Sequence, residues 1–187
     1  MSKAYFDEEV FEGMEKELQP GEYTDCQFVR CSLANSDLSG YVFEDCEFTE
    51  CDLSNIKLKD TALKNVKFDQ CKMIGLQFHD CHEFLLEMSF NQCQLDYSSF
   101  NGLKIPNTQF TKCECKEVDF ENSNLSKSVF KETDLQGAVF INCDLSRANF
   151  TTANNFSINP ANNILRKATF SRFNVIGLIN HLDINLK

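Results

Sequence analysis

The sequence predicts an all-β solenoid, a square coil that climbs one rung for every twenty residues. Three observations predict it. Large apolar residues recur at every fifth position, slim residues recur two places before them, and the large residues echo at twenty. A period of five suits neither regular element, because a helix repeats near 3.6 and a strand at 2. With two inward residues in five, the chain must turn at every repeat, and four turns close a square.

Residues 1–22 come first. Their apolar side chains (Tyr5, Phe6, Val10, Phe11, Met14, Leu18) do not keep the five-residue rule, so the segment is read as a cap on the first coil. Residues 1–25 hold eight acids (Asp7, Glu8, Glu9, Glu12, Glu15, Glu17, Glu22, Asp25) against Lys3 and Lys16. That is not the basic start and apolar stretch of a secretory leader, so the expected address is the cytoplasm and the expected cysteine state is reduced.

The repeats fill residues 23–155. From Tyr23, every fifth residue to Phe78 is apolar, and the series resumes at Phe90 and runs to Phe150. The twelve residues from Phe78 to Phe90 are two more than two repeats, which places a two-residue register slip within 79–89. Phe28, Phe48 and Phe68 stand twenty apart, as do Phe90, Phe110, Phe130 and Phe150, and also Phe100, Phe120 and Phe140. These phenylalanines are the expected core, stacked coil on coil at the strand spacing of ~4.8 Å. The Asp and Asn residues that precede the centres repeat with the coil and are read as structural.

Two residues before the centres stand Cys26, Cys31, Cys46, Cys51, Cys71, Cys93, Cys113 and Cys143, with Ser, Thr, Ala or Val in most of the other slots. The twice-repeated Cys-x4-Cys spacing invites a zinc site. However, cysteines five apart point to different faces of a square, and stacked ones are parallel at ~4.8 Å, longer than the Cβ separation a disulfide prefers. They are read as small buried hydrophobes, with no metal and no cofactor. Cys115 differs by taking a central place.

At the slip, His79, Asp80, Cys81, His82 and Glu83 raise a catalytic or metal reading. The plainer one is a kinked corner, with Phe84-Leu85-Leu86 plugging the interior. Residues 156–187 form a C-terminal cap or dimer contact. Within them are a turn at Asn159–Asn163, one recovered repeat at Ala168-Thr169-Phe170, a short helix in Val175–Leu182 and a last strand at Asp183–Leu186. No nucleophile–base order, Gly-rich phosphate loop or paired-carboxylate cleft appears, so no enzyme is expected.

At 187 residues the chain is about one domain. Its net charge of −10 argues against gripping a phosphate backbone directly. No segment reaches the ~18 to 20 apolar residues of a membrane span.

Ser36-Asp37-Leu38-Ser39-Gly40, Thr133-Asp134-Leu135-Gln136-Gly137, Cys143-Asp144-Leu145-Ser146-Arg147 and Ala148-Asn149-Phe150-Thr151-Thr152 are similar to the Ala-Asp/Asn-Leu-x-x consensus of the pentapeptide-repeat family. That resemblance implies a right-handed quadrilateral β-helix, here of about seven coils, and a homodimer through a C-terminal element. Its quinolone-resistance members are acidic rods that bind DNA gyrase and topoisomerase IV in place of duplex DNA. Two outward acidic blocks are the corresponding candidates here: Glu44, Asp45, Glu47 and Glu50, and Glu114, Glu117, Asp119 and Glu121. Lys57, Lys59, Lys64, Lys67 and Lys72 interrupt the acidity between them, and no long loop leaves the rod. The alternative is a rigid scaffold for an unidentified protein partner.

Overall fold

The computed structural model describes residues 4–15, 18–182 and 184. The coil has four faces. The first carries β1 (Ala4–Asp7), β3 (Gly21–Thr24), β5 (Val42–Glu44) and β7 (Ala62–Lys64) in the order β1-β3-β5-β7. The second carries β2 (Val10–Glu12), β4 (Gln27–Val29), β6 (Glu47–Thr49), β8 (Val66–Asp69), β9 (Met88–Asn91), β10 (Gln109–Thr111) and β11 (Val129–Lys131), seven strands in sequence. Every pairing is parallel. Bridges such as Gln94↔Glu114 build the third face and Ser99↔Asp119 the fourth.

The columns stack in register. Phe28 pairs with Phe48 and Phe48 with Phe68, while Phe68 pairs with Phe90 across the two-residue insertion. Ring centroids are 4.4 Å apart for Phe28–Phe48 and 4.7 Å for Phe130–Phe150, with interplanar angles of 9° and 10°. Rings of the neighbouring column meet these edge-on, as Phe120 meets Phe130 at 83°. Both geometries suit the aromatic quadrupole. The interior is filled: the void bounded by Phe43, Phe48, Phe68 and Phe78 measures about 10 Å³, at most one water.

The slim slot has a specific job. Its side chain donates to the carbonyl of a central residue one rung above: Cys46 Sγ to Tyr23 O (3.3 Å), Thr61 Oγ1 to Leu38 O (2.8 Å), Thr133 Oγ1 to Phe110 O (2.8 Å). A slim apolar residue fits the space, but Cys, Ser and Thr also satisfy a buried acceptor. The Asp or Asn before the centre accepts the backbone N–H two residues on, as Asp37 Oδ1 does from Ser39 N (3.0 Å) and Asp144 Oδ1 from Ser146 N (2.9 Å). The last position of each repeat turns the corner in a left-handed conformation, for example Asn35 at φ 64° and Asn55 at φ 55°. That preference favours Gly, Asn and Asp there.

Both ends differ from the regular coil. Residues 4–15 form a shortened coil of their own, with Phe6 opposite Tyr23 and Phe11 opposite Phe28, seventeen residues apart instead of twenty. A Cβ on Gly21 would lie 2.6 Å from Ala4 O, so this closure needs glycine. Tyr41 donates its hydroxyl to Leu18 O (2.6 Å) and Leu18 is buried. At the other end Asn174 Nδ2 donates to Phe150 O (2.8 Å) and Ala153 O (2.9 Å), and a 3-10 turn, Val175–Leu178, folds over Phe156. Phe170 stacks on Phe150 at 5.2 Å, and a second 3-10 turn spans Pro160–Asn162. Of the strand expected at Asp183–Leu186, only Ile184 is among the described residues.

The slip corrects one expectation. Phe84 and Leu85 do not plug the interior: they are 66% and 61% exposed, and only Leu86 packs against the core. The extra residues bulge outward ahead of Glu87, which donates to Leu63 O and accepts from Val66 N, and within the bulge Leu85 is left-handed at φ 58°.

Candidate partner-binding surface

The square cross-section gives the acids different addresses. Glu44 lies on the first face, Asp45 on the corner beyond it, Glu47 on the second face and Glu50 on the following corner. Glu114 lies on the third face, Glu117 at the corner between the third and fourth, and Asp119 and Glu121 on the fourth. The two blocks therefore occupy opposite corners of the rod, on different rungs, and the fold does not bring them together.

Bases hold two of these acids. Lys64 Nζ, one rung away, is 2.9 Å from Glu44, and Lys116 Nζ, on the same rung, is 3.4 Å from Glu114. Lys57 with Asp37 (3.7 Å) and Lys72 with Asp52 (3.5 Å) repeat the vertical pairing of Lys64. Three of the lysines that interrupt the acidity thus neutralise acids on the coil above. Such exposed pairs add little stability, at most ~1 kcal/mol each. Asp119 stands apart. It accepts from Glu121 N (2.8 Å), Asn101 Nδ2 (3.0 Å) and Ser99 Oγ (3.3 Å), so it belongs to the frame of the coil rather than to a free acidic surface.

Ser99 Oγ also lies 3.2 Å from His79 Nδ1, and His79 Nε2 lies 3.7 Å from Asp80. Ser99, His79 and Asp119 line an open hollow of about 430 Å³ with Gln77, Tyr97 and Glu117. Three neighbouring backbone donors are taken, Ser99 N by Leu76 O, Phe100 N by Asp119 O and Asn101 N by Ser99 Oγ. None of these three is spare for an oxyanion.

All ten cysteines are buried. Burial pushes the Cys46 and Cys81 thiols up to about 12, away from the thiolate that metal binding and nucleophilic attack require. Among the described residues no group of three or more His, Cys, Asp or Glu side chains is placed to hold a metal ion. No helix among them is long and apolar enough to cross a membrane.

Charge is unevenly spread along the rod. Residues 1–54 hold fourteen acids and three bases, net −11. Residues 55–122 hold ten and eight, net −2, and residues 123–187 hold four and seven, net +3. A total of −10 hides this gradient; only a count by segment, joined to the column geometry, exposes it.

A parallel solenoid with four faces and a five-residue period defines a repeat-protein class. Two family models match the chain, one described as a pentapeptide repeat region over residues 22–100 and one as pentapeptide repeats (8 copies) over residues 113–151. Together they span more than half of it, and the chain belongs to the pentapeptide-repeat proteins. Among solved structures, a trypsin-treated variant of QnrB1, a plasmid-mediated fluoroquinolone resistance protein, superposes with a TM-score of 0.65 at 13% identity, covering 98% of this chain and 100% of that one. A second such variant gives 0.60 at 12%, covering 100% and 92%. At these identities the likeness is one of fold, the right-handed quadrilateral β-helix. A comparison with curated proteins finds no match.

Proposed function

We propose that this protein is a non-enzymatic, cytoplasmic interaction rod whose partner is a bacterial type II topoisomerase, DNA gyrase or topoisomerase IV, met by acidic side chains in place of DNA. The observation that carries this reading is the net charge of −11 on residues 1–54, displayed on a rigid rod. Within the candidate blocks, Glu44, Asp45, Glu47 and Glu50, with Glu114, Glu117 and Glu121, are the contacts; Asp119 supports the coil beneath them. The resemblance also puts a homodimer contact in the C-terminal element, where Phe173 is 98% exposed and Val175 and Ile176 about half so.

Purified protein in a gyrase supercoiling assay, with and without a quinolone, tests the reading. Inhibition or protection should weaken steeply with salt and after replacing either acidic block with Gln and Asn. No effect on supercoiling and no binding at low salt would reject it. A second reading, a rigid scaffold for another protein, draws on the basic residues 123–187: a uniform duplex mimic has no use for a positive end. Under that reading a pull-down with the intact chain recovers a partner other than topoisomerase.

A further inference from the structure

One corner of the rod is sorted by charge along its length. Between the first and second faces every rung but the middle one contributes one exposed residue in the left-handed conformation. From the top come three acids, Glu8, Asp25 and Asp45, and then Asn65. The middle rung contributes the exposed Glu87, which donates its N–H to Leu63 O and accepts from Val66 N, with Phe84 and Leu85 bulging out just before it, and below it come Asn107 and three bases, Lys127, Arg147 and Lys167. The eight left-handed φ values lie between 49° and 65°. Backbone bonds hold the column rigid, as in Asp45 N to Lys64 O (2.9 Å) and Arg147 N to Arg166 O (2.9 Å).

The order is antisymmetric about the rung of Glu87, with four rungs on each side, acids above and bases below. No comparable sorting exists on the next corner, where Arg30, Glu50, Lys112 and Glu132 alternate in sign. Among the described residues none of the six sorted acids and bases forms an ion pair within the chain. The exposed Phe84 and Leu85 sit where the signs change over.

We propose that this corner is the interface of an antiparallel homodimer, two copies side by side with the two-fold axis at the rung of Glu87. A half-turn about that axis lays each acid above it on a base: Glu8 on Lys167 of the second copy, Asp25 on Arg147, Asp45 on Lys127, and Asn65 on Asn107. Equal rung spacing keeps all pairs in register over eight intervals of ~4.8 Å. At the axis each Glu87 faces its own counterpart and the exposed Phe84 and Leu85 of the same rung flank it, an isologous arrangement in which one like-charge contact stands against six acid–base pairs. A parallel arrangement would set acid on acid, so charge selects the direction as well as the partner. This contact rests on other observations than the topoisomerase reading but shares residues with it: the dimer would withhold Glu44 and Asp45 and leave Glu114, Glu117 and Glu121 open on the opposite corner.

Sedimentation velocity on the full chain tests it. The dimer should dissociate at least tenfold more readily in about 0.5 M salt than in about 25 mM, because the pairs lie at a solvated edge. D25K/D45K leaves Glu8 as the one acid of the upper rungs and K127D/R147D leaves Lys167 as the one base of the lower rungs, so like charges face each other in most pairs and each variant should be monomeric alone. Mixed together they should form a heterodimer, and the chain carrying all four changes should dimerise again. Lys already occupies this turn at Lys127 and Lys167, so D25K/D45K should keep the fold, which circular dichroism checks. L85C should cross-link to its own copy under copper–phenanthroline oxidation, while N107C, which faces Asn65 of the second copy, should not; the ten native cysteines are buried and contribute little. A monomer at low salt and ~100 μM overturns the proposal. So does a dimer that survives both charge variants and cross-links equally at 85 and 107, the outcome a contact through the C-terminal element alone would give.

Discussion

The rungs above Leu85 and the rungs below it share one interior and carry opposite surfaces. Above, Phe28 stacks on Phe48 and a cysteine donates to Tyr23 O. Below, Phe130 stacks on Phe150 and a threonine donates to Phe110 O. Outside, residues 1–54 are at −11 and residues 123–187 at +3. The division follows from what each place in the repeat does. The centre fills the core, the slim residue two before it satisfies a carbonyl, and the Asp or Asn one before it satisfies an N–H. Only the two places after the centre are free of such duties, and there the sorted corner and most of the candidate acids are found. The proposed contacts are therefore drawn mainly from two positions of five.

The sharpest test of a shared interior is to open it. Phe120 is fully buried, 5.3 Å from Phe100 and 5.0 Å from Phe140. Phe120→Ala should cost ~3 to 5 kcal/mol, the range for losing a core phenylalanine. Phe48→Ala, the counterpart above the slip, should cost a similar amount. Denaturation midpoints that differ sharply between the two would mean the halves are not energetically alike.

Raising the pH probes the slim slots. Burial holds the Cys46 and Cys81 thiols up to about 12, against an ordinary 9.0. The folded state therefore keeps protons that the unfolded chain releases above pH 9, so their contribution is complete below 9 and is lost as pH climbs toward 12. Near pH 10 each of these thiols should cost ~1.4 kcal/mol, roughly 3 together. Thermal melts should show stability flat from about pH 7 to 8.5 and falling beyond; replacing Cys46 and Cys81 with Ala should flatten the fall.

A smaller effect separates filling the slot from donating in it. Thr133 is fully buried and its hydroxyl reaches Phe110 O at 2.8 Å. Thr133→Val keeps the shape, as Val66 and Val118 already do in other slots, but removes the donor, and should cost ~1 kcal/mol in urea denaturation. No change would mean the slot asks only for slim residues.

That second role shows where sequence reading stopped. The period, the twenty-residue echo and the two-residue slip are all visible in the chain, because burying the same side chain on every rung writes itself as repetition. The partner of a thiol is not visible: that Cys46 serves as a donor follows only once Tyr23 O is known to point at it. Nor is the first coil, whose seventeen residues hide Phe6 and Phe11 from a search in steps of twenty. Phe84 and Leu85 were read inward on composition alone, since an insertion displaces the corner in a direction that spacing does not encode. The acidic blocks were legible as acids, but their placement on opposite corners, and the framing role of Asp119, belong to the coil. The sorted corner spans residues 8–167 with one residue from each rung, so no window along the chain contains it.

The smallest expected stability change is the most telling about Leu85. It is 61% exposed, so trimming it forfeits little burial, and at φ 58° it holds a conformation that Asn tolerates better than Leu. Asn65 and Asn107 hold the same left-handed conformation on the rungs either side. On local grounds Leu85→Asn should leave stability unchanged or raise it by up to ~1 kcal/mol. Yet the same change removes the apolar contact at the proposed two-fold axis, so the dimer should weaken while the monomer melts no lower. Measuring both on one preparation separates strain tolerated for a contact from strain without consequence. If Leu85→Asn destabilises the monomer by more than ~1 kcal/mol, Leu85 is held by its own rung, and its exposure says nothing about a partner.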